Sequence, residues 1–295
     1  METNNTARSF RDKWHRNTDL VFAETLREDS SILRWILERN GWGSLDALRH
    51  SLRGRGRILD AGCGNGRVTA LLRRCTDPQS TQVVGVDLVS HEVARGNLAD
   101  APNMQFGQAD LTTDLTRLGR FDYIYCQEVL HHTSDPAKSF GNLCALLQPG
   151  GEIAIYVYKV KAPVRELTDD YVRSKIAALP YEEAMRLCAQ VTQLGKALSD
   201  LNAKIRVPDV EVLGIEAGEY DVQRLIYNAF AKCFWNPELS TEANDLVNYD
   251  WYHPQTATRH TLAEVREWFA REGVDIIHEH VDPYGITVRG VRANT

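Results

Sequence analysis

Residues 58–69 read ILDAGCGNGRVT. Ile58 and Leu59 begin an apolar, strand-forming run, Asp60 closes it, and Gly62, Gly64 and Gly66 crowd the turn that leads into Arg67-Val68-Thr69. This is a strand that stops, a tight turn, and a helix that starts. Glycines there permit positive φ and let a ligand approach the main chain, while the unpaired N–H groups of the helix N-terminus face whatever is bound. Here the acid stands in front and the third glycine falls two residues after the second, giving D-x-G-x-G-x-G. Dinucleotide-binding turns use G-x-G-x-x-G instead.

Working outward, strand-like runs at 57–61, 82–87, 104–108, 121–126 and 152–158 alternate with helical stretches, the pattern of a parallel sheet with crossover helices. Ligands of such sheets bind outside the carboxyl ends of the strands. Asp87 ends the second strand, where a carboxylate accepts hydrogen bonds from ribose hydroxyls, and Leu88 beside it can lie against a purine. The plainer alternative is that Asp87 caps the following helix. Asp110 follows the third strand among the turn formers Thr112, Thr113 and Asp114. Asp122 stands at the wrong end of the fourth strand for chemistry and is read as a turn residue.

Taken together, the glycine turn, Asp87, Asp110, FDYIYCQEVLHHTSDP (121–136) and LLQPGGEIAIYVY (146–158) resemble the class I S-adenosylmethionine-dependent methyltransferases. The resemblance implies an α/β, Rossmann-like sheet of seven strands in the order 3-2-1-4-5-7-6, the last strand antiparallel, with N-terminal helices and a helical cap insertion. It implies S-adenosyl-L-methionine as cofactor, held by Asp60, Gly62, Gly64 and Gly66. Asp87 and Leu88 then meet the ribose and purine, Asp110 and Leu111 the adenine, and Cys126 and Gln127 border the methionine part. The expected reaction is in-line methyl transfer to a small-molecule acceptor in a closed pocket, as O- or N-methylation. A tRNA or protein methyltransferase and a non-catalytic cofactor-binding module are the rival readings.

A histidine is suited to take a proton from a hydroxyl as the methyl arrives, so His131 is a candidate base. His132 occupies a position where many family members keep histidine, which points to a scaffold or cofactor-loop role. Some quinone-type O-methyltransferases carry E-x-x-E-H here; in Glu128-x-x-His131-His132 the second acid is missing, and no metal is expected. Neither N-P-P-Y nor D-P-P-Y follows the fourth strand, and no catalytic cysteine pair is evident.

The net charge of −6, from 34 basic and 40 acidic residues without long runs of either sign, disfavours nucleic acid and anionic membranes as partners. The six cysteines form no C-x-x-C pair and METNNTARSFRDKWHR lacks an apolar core, which suggests reduced thiols in a cytoplasmic protein. No apolar stretch reaches the roughly 20 residues of a membrane span.

Three regions are expected: an N-terminal helical lid or sheet-edge packing over 1–52, a core from 53–159 and 257–295, and a helical insertion at 160–256 placed to cover the pocket and bind the acceptor. Within the insertion, a helix from Pro180 sets Ala184, Leu187, Val191, Leu194, Leu198, Leu201 and Ile205 at heptad spacing. Its partner is expected within the chain, with a homodimer through the cap helices as the other solution. Thr261, Glu264 and Gly273 mark a late helix by N-cap, capping box and stop. The preceding aromatic loop makes His253 a second candidate base and Tyr252 and His260 candidate acceptor residues, with Tyr284 of the last hairpin beside them.

Overall fold

The computed structural model describes residues 5–294. Two compact units are present. A sheet unit holds Trp14–Lys159 and the chain from Thr256 onward, and a helical unit holds the chain up to Lys13 together with Val160–Gln255. The segment read as one lid, 1–52, is therefore divided between them, and the break falls inside the helix Asn5–Arg16.

The sheet unit has seven strands: β1 (Arg57–Ala61), β2 (Gln82–Asp87), β3 (Met104–Gln108), β4 (Phe121–Gln127), β5 (Leu147–Tyr158), β6 (Val274–Val281) and β7 (Gly285–Arg292). Their order is β3-β2-β1-β4-β5-β7-β6. The first five run parallel, and β7 lies antiparallel to both β5 and β6. Strands buried on both faces read as near-continuous apolar runs, as VVGV and YIYC do. Asp60 pairs with Gly85 on one side and Tyr125 on the other, so the carboxyl ends of β1, β2 and β4 lie level. At the opposite end Asp122 Oδ2 accepts from Gly56 N (2.9 Å) and Arg57 N (2.8 Å), tying the start of β1 to β4 as a turn residue does.

Short polar signals set the helix ends. Ser30 caps Ser31–Arg39, Ser44 caps Leu45–Leu52, and Asp135 caps Pro136–Cys144 with proline in its first turn. Thr261 and Glu264 form the complete capping box of Leu262–Arg271, and Gly273 follows at φ +63°.

The helical unit is built from Pro163–Ile176, Tyr181–Asp200, Val222–Ala229 and Thr241–Tyr252, with a two-stranded hairpin of Lys204–Val207 and Gly218–Asp221. The heptad seam is corrected here. The buried stripe of Tyr181–Asp200 is Ala184, Cys188, Thr192 and Gly195, whereas Leu194 is half exposed. Close approach selects small residues: a Cβ on Gly195 would lie 2.4 Å from the Cys233 carbonyl oxygen. The helix ends at Asp200, so Leu201 and Ile205 leave the stripe altogether. All six cysteines are buried free thiols. Among the described residues, no helix is long and apolar enough to cross a membrane.

Candidate active site

The glycine turn is left-handed at each glycine, with φ of +86° at Gly62, +56° at Gly64 and +87° at Gly66. Gly62 N and Cys63 N donate back to Val86 O at 2.7 and 3.0 Å, which pins the turn to the end of β2. A Cβ on Gly62 would lie 2.2 Å from Val129 Cγ2, and one on Gly64 would lie 2.9 Å from the Trp14 ring. The stretch after Trp14 is tied to the same turn: Asn65 Nδ2 donates to Thr18 O (3.1 Å) and Leu20 O (3.0 Å), and His15 Nε2 to Val89 O (3.1 Å). Asp60 is buried under the turn and accepts from Thr69 Oγ1 at 2.5 Å. Burial pushes its pKa up to about 7, against the opposing pull of the Thr69 hydrogen bond and Arg67.

Asp87 is half-buried and accepts three backbone hydrogen bonds: Oδ2 from Gly64 N (3.1 Å), and Oδ1 from Val89 N (2.9 Å) and Ser90 N (3.0 Å). The capping reading of this residue holds, since it caps the next segment, and it also braces the glycine turn. A carboxylate offers about four acceptor positions, which leaves one on Oδ2. Leu88 beside it is 42% exposed. Asp110 Oδ1 accepts from Thr112 N (2.9 Å) and Thr112 Oγ1 (2.7 Å), and Leu111 is buried in the core.

The end of β4 carries the most polar burial. Cys126 is fully buried, and burial drives its thiol pKa well up. Gln127 exchanges both amide groups with Asn40, at 2.5 and 3.2 Å, and its Oε1 also accepts from Tyr125 OH at 2.8 Å. Glu128 then turns left-handed at φ +66°, a strain of about 1–2 kcal/mol for a non-glycine residue. Its carboxylate faces Arg67 Nη2 at 3.1 Å and Arg39 Nη1 at 3.7 Å.

Sequence reasoning passed over Arg39. It is 1% exposed, its guanidinium sits 3.7 Å over Trp35 and 4.5 Å over Tyr156, and its one hydrogen bond, to Tyr125 OH, is long at 3.4 Å. Nε and Nη1 have no hydrogen-bond partner. Buried guanidinium donors are normally hydrogen-bonded; here the Glu128 carboxylate, 3.7 Å from Nη1, balances the charge from beyond hydrogen-bond distance. The signal lay in ILRWILER, where Arg39 shares the buried stripe with Leu33 and Ile36. Trp35 also packs edge-on against Tyr156 and Tyr284, which places Tyr284 in this cluster.

His131 and His132 follow on a single 3-10 turn, Leu130–His132. His131 is wholly buried, stacked on Tyr158 with ring centroids 3.6 Å apart. Its carbonyl accepts from Thr258 N (2.8 Å) and Thr258 Oγ1 (3.1 Å). His132 Nδ1 lies 2.8 Å from Thr256 O. A carbonyl only accepts, so Nδ1 is the donor of this pair. His260 Nε2 lies 2.9 Å from Thr258 Oγ1, and since that hydroxyl donates to His131 O, His260 Nε2 is the donor. Burial lowers the pKa of His260, keeping it neutral near pH 7.

The other two candidates belong to the helical unit. Tyr252 OH donates to Asp169 Oδ1 at 3.0 Å. His253 is fully buried and stacked on Tyr249, with Nδ1 2.7 Å from Ser9 Oγ and Nε2 3.0 Å from Leu179 O. Its Nε2 donates to that carbonyl and its Nδ1 pairs with the hydroxyl, so both ring nitrogens are engaged within the unit.

A profile of the family described as "Methyltransferase domain" matches residues 37–202. An uncharacterized protein of a Synechococcus strain is 34% identical over 125 residues, which are 39% of this chain and 29% of that protein. The ubiquinone biosynthesis O-methyltransferase of Psychrobacter arcticus is 28% identical over 238 residues, covering 76% of this chain and 84% of that enzyme. Among solved structures, PKMT2 from Rickettsia typhi in complex with AdoHcy matches with a TM-score of 0.51 at 15% identity, over 81% of this chain and 49% of that one. The CurJ carbon methyltransferase matches with a TM-score of 0.50 at 12% identity, over 98% of this chain and 67% of that one. At such identities these structures share the fold.

Proposed function

The chain belongs to the S-adenosylmethionine-dependent methyltransferases, and from that premise we propose that it methylates a hydroxyl oxygen of a small-molecule acceptor. The observation that carries the choice of oxygen is the extent of the likeness to the Psychrobacter arcticus O-methyltransferase, over 76% of this chain and 84% of that enzyme. A hydroxyl must lose its proton as it gains the methyl, and His132, its ring oriented by Nδ1 donating to the Thr256 carbonyl, is the imidazole assigned to take it. A neutral amine needs no such base in the transfer step.

The residues present fit the cofactor. Two nitrogens of buried Arg39 that lack a hydrogen-bond partner suit the carboxylate of its amino-acid part, and the open acceptor position on Asp87 Oδ2 suits a ribose hydroxyl. Asp110 would receive the adenine amino group, with Leu88 and Leu111 supplying apolar surface. Gly62, Gly64 and Gly66 leave the main chain bare for close approach, over Asp60. Cys126 and Gln127 would support the methionine side from below, Gln127 by holding Asn40. When bound, the cofactor supplies an electrophilic methyl on a sulfonium. The protein positions the acceptor oxygen, excludes water and takes the proton at His132 Nε2. In this reading His131, stacked on Tyr158, and His260, held by Thr258, shape the surroundings of that base. Tyr284 lies with Trp35 near Arg39. Tyr252 and His253 serve the helical unit.

The test is transfer of labelled methyl from S-adenosylmethionine to a panel of phenols, catechols and amines. Label is expected on a phenol or catechol oxygen and is expected to vanish in Asp87→Ala. Label found only on amines, tRNA or protein would overturn the reading. Tight binding of S-adenosylhomocysteine with no turnover on any metabolite extract would instead favour the non-catalytic module.

A further inference from the structure

The helical unit gathers cations around one indole. Trp251 is 2% exposed, and four cationic groups surround its ring: Lys232 Nζ at 4.7 Å, Arg165 Cζ at 5.3 Å, Lys161 Nζ at 5.6 Å and Arg173 Cζ at 5.9 Å. Lys13 joins the cluster through its ion pair with Asp250 at 2.9 Å. Arg165 is matched by Asp169 at 2.5 Å, both buried, and Arg173 by exposed Asp170 at 3.0 Å. Lys232 differs from all of these. It is 6% exposed, makes no ion pair, and its ammonium has one hydrogen bond, to Val247 O at 3.1 Å. The Asp169 carboxylate nearby already receives Arg165, Tyr252 OH and the Lys232 backbone N–H.

An ammonium has three donors, and burying one without a counter-ion is costly. A cation–π contact is too weak to offset that cost, and the indole is shared among like charges that repel one another. We propose that the helical unit holds a binding site for a small organic oxyanion, centred on the Lys232 ammonium and flanked by Arg165, Arg173 and Lys13. The anion supplies the counter-charge that Lys232 lacks among the described residues, and it occupies ammonium donors left over from the Val247 hydrogen bond. The site is independent of methyl transfer and of any cofactor.

The protonation of Lys232 gives the site a signature. Burial lowers its pKa to about 7, with Arg165 and Lys13 lowering it further and Asp250 and Asp169 pulling it back. An anion favours the charged ammonium, so affinity falls by up to tenfold per pH unit above about 7. The probes are sulfate, whose charge does not change in this range, and succinate, titrated into the full chain against matched chloride and read by melting temperature and calorimetry. A saturable stabilisation at pH 6.5 that fades by pH 8.5 is expected for at least one of them. Sulfate alone would point to phosphate-type ligands and succinate alone to carboxylates. Lys232→Met is expected to lose the saturable response and Lys232→Arg to keep it without the pH dependence. Should Lys232→Met not fold, Lys232→Arg alone decides. No saturable response to either anion, an unchanged response in Lys232→Met, or an unchanged pH dependence in Lys232→Arg would each overturn the proposal.

Discussion

The guanidinium of Arg39 lies buried 3.7 Å over the Trp35 ring, with two of its nitrogens lacking a hydrogen-bond partner. An arginine kept in that state is costly to the fold, and a ligand carboxylate relieves it. Arg39→Met is therefore expected to fold at least as stably as the parent, because a buried cation is replaced by an apolar chain of similar reach. Affinity for S-adenosylhomocysteine should fall roughly 10- to 100-fold, the worth of a charge-assisted hydrogen bond of about 1.5–3 kcal/mol. Calorimetric titration beside a thermal melt reads both. Undiminished affinity would sink the assignment.

Gly62 combines positive φ with a neighbour that cannot yield. Val129 is stiff at its branched Cβ, and an added methyl would meet it at 2.2 Å. Gly62→Ala is expected to lose about 2–4 kcal/mol, as backbone strain plus overpacking. In urea unfolding, Val129→Ala on that background should recover the packing part and leave the strain. Full recovery would show that φ contributes nothing.

Three buried groups give the stability of the chain opposing pH slopes. Burial lowers the pKa of His253 and His260 below 6.5, so the unfolded chain takes up protons first and stability is lost as pH falls through 6.5 toward the folded values. Asp60 works in the other direction. Its pKa is raised from 3.8 to about 7, so its penalty is absent below 3.8, grows as pH rises from 3.8 to about 7 and is constant above that. Urea midpoints between pH 4 and 8 should show Asp60→Asn removing the loss that accompanies rising pH up to about 7 and His253→Gln removing part of the loss that accompanies falling pH below 6.5. Parallel curves for variants and parent would refute this.

If His132 takes the acceptor proton, His132→Gln should lower kcat by roughly 10²–10⁴-fold while S-adenosylhomocysteine binds as before. The acid limb of the kcat/KM profile should disappear with it. Loss of activity with that limb intact would assign a merely structural role.

The parallel strands and the glycine turn were legible because each rests on local pattern: apolar runs of strand length, glycines at fixed spacing, an acid at or beside the end of β1 and β2; the strand order came from the family resemblance that these motifs carry. The capping box of Thr261 and Glu264 was legible for the same reason. Arg39 was not, because its significance lies in what surrounds it, namely Tyr125, Glu128 and Tyr156, drawn from distant parts of the chain. The insertion helix misled in an instructive way. Its leucines kept heptad spacing, yet the partner backbone comes so close at Gly195 that only small side chains fit between. Tyr252 and His253 looked like free functional groups in the sequence and proved to be engaged by Asp169, Ser9 and Leu179, partners that no local pattern announces.

The six buried thiols turn the chain into its own stability gauge. Cys63, Cys75, Cys126 and Cys144 report on the sheet unit, Cys188 and Cys233 on the helical unit, and a thiolate reacts with an alkylating reagent only when its neighbourhood opens. Pulsed alkylation followed by mass spectrometry thus reads the opening free energy at six addresses without a single engineered label. It would show whether a ligand that protects Cys63 leaves Cys233 as open as before.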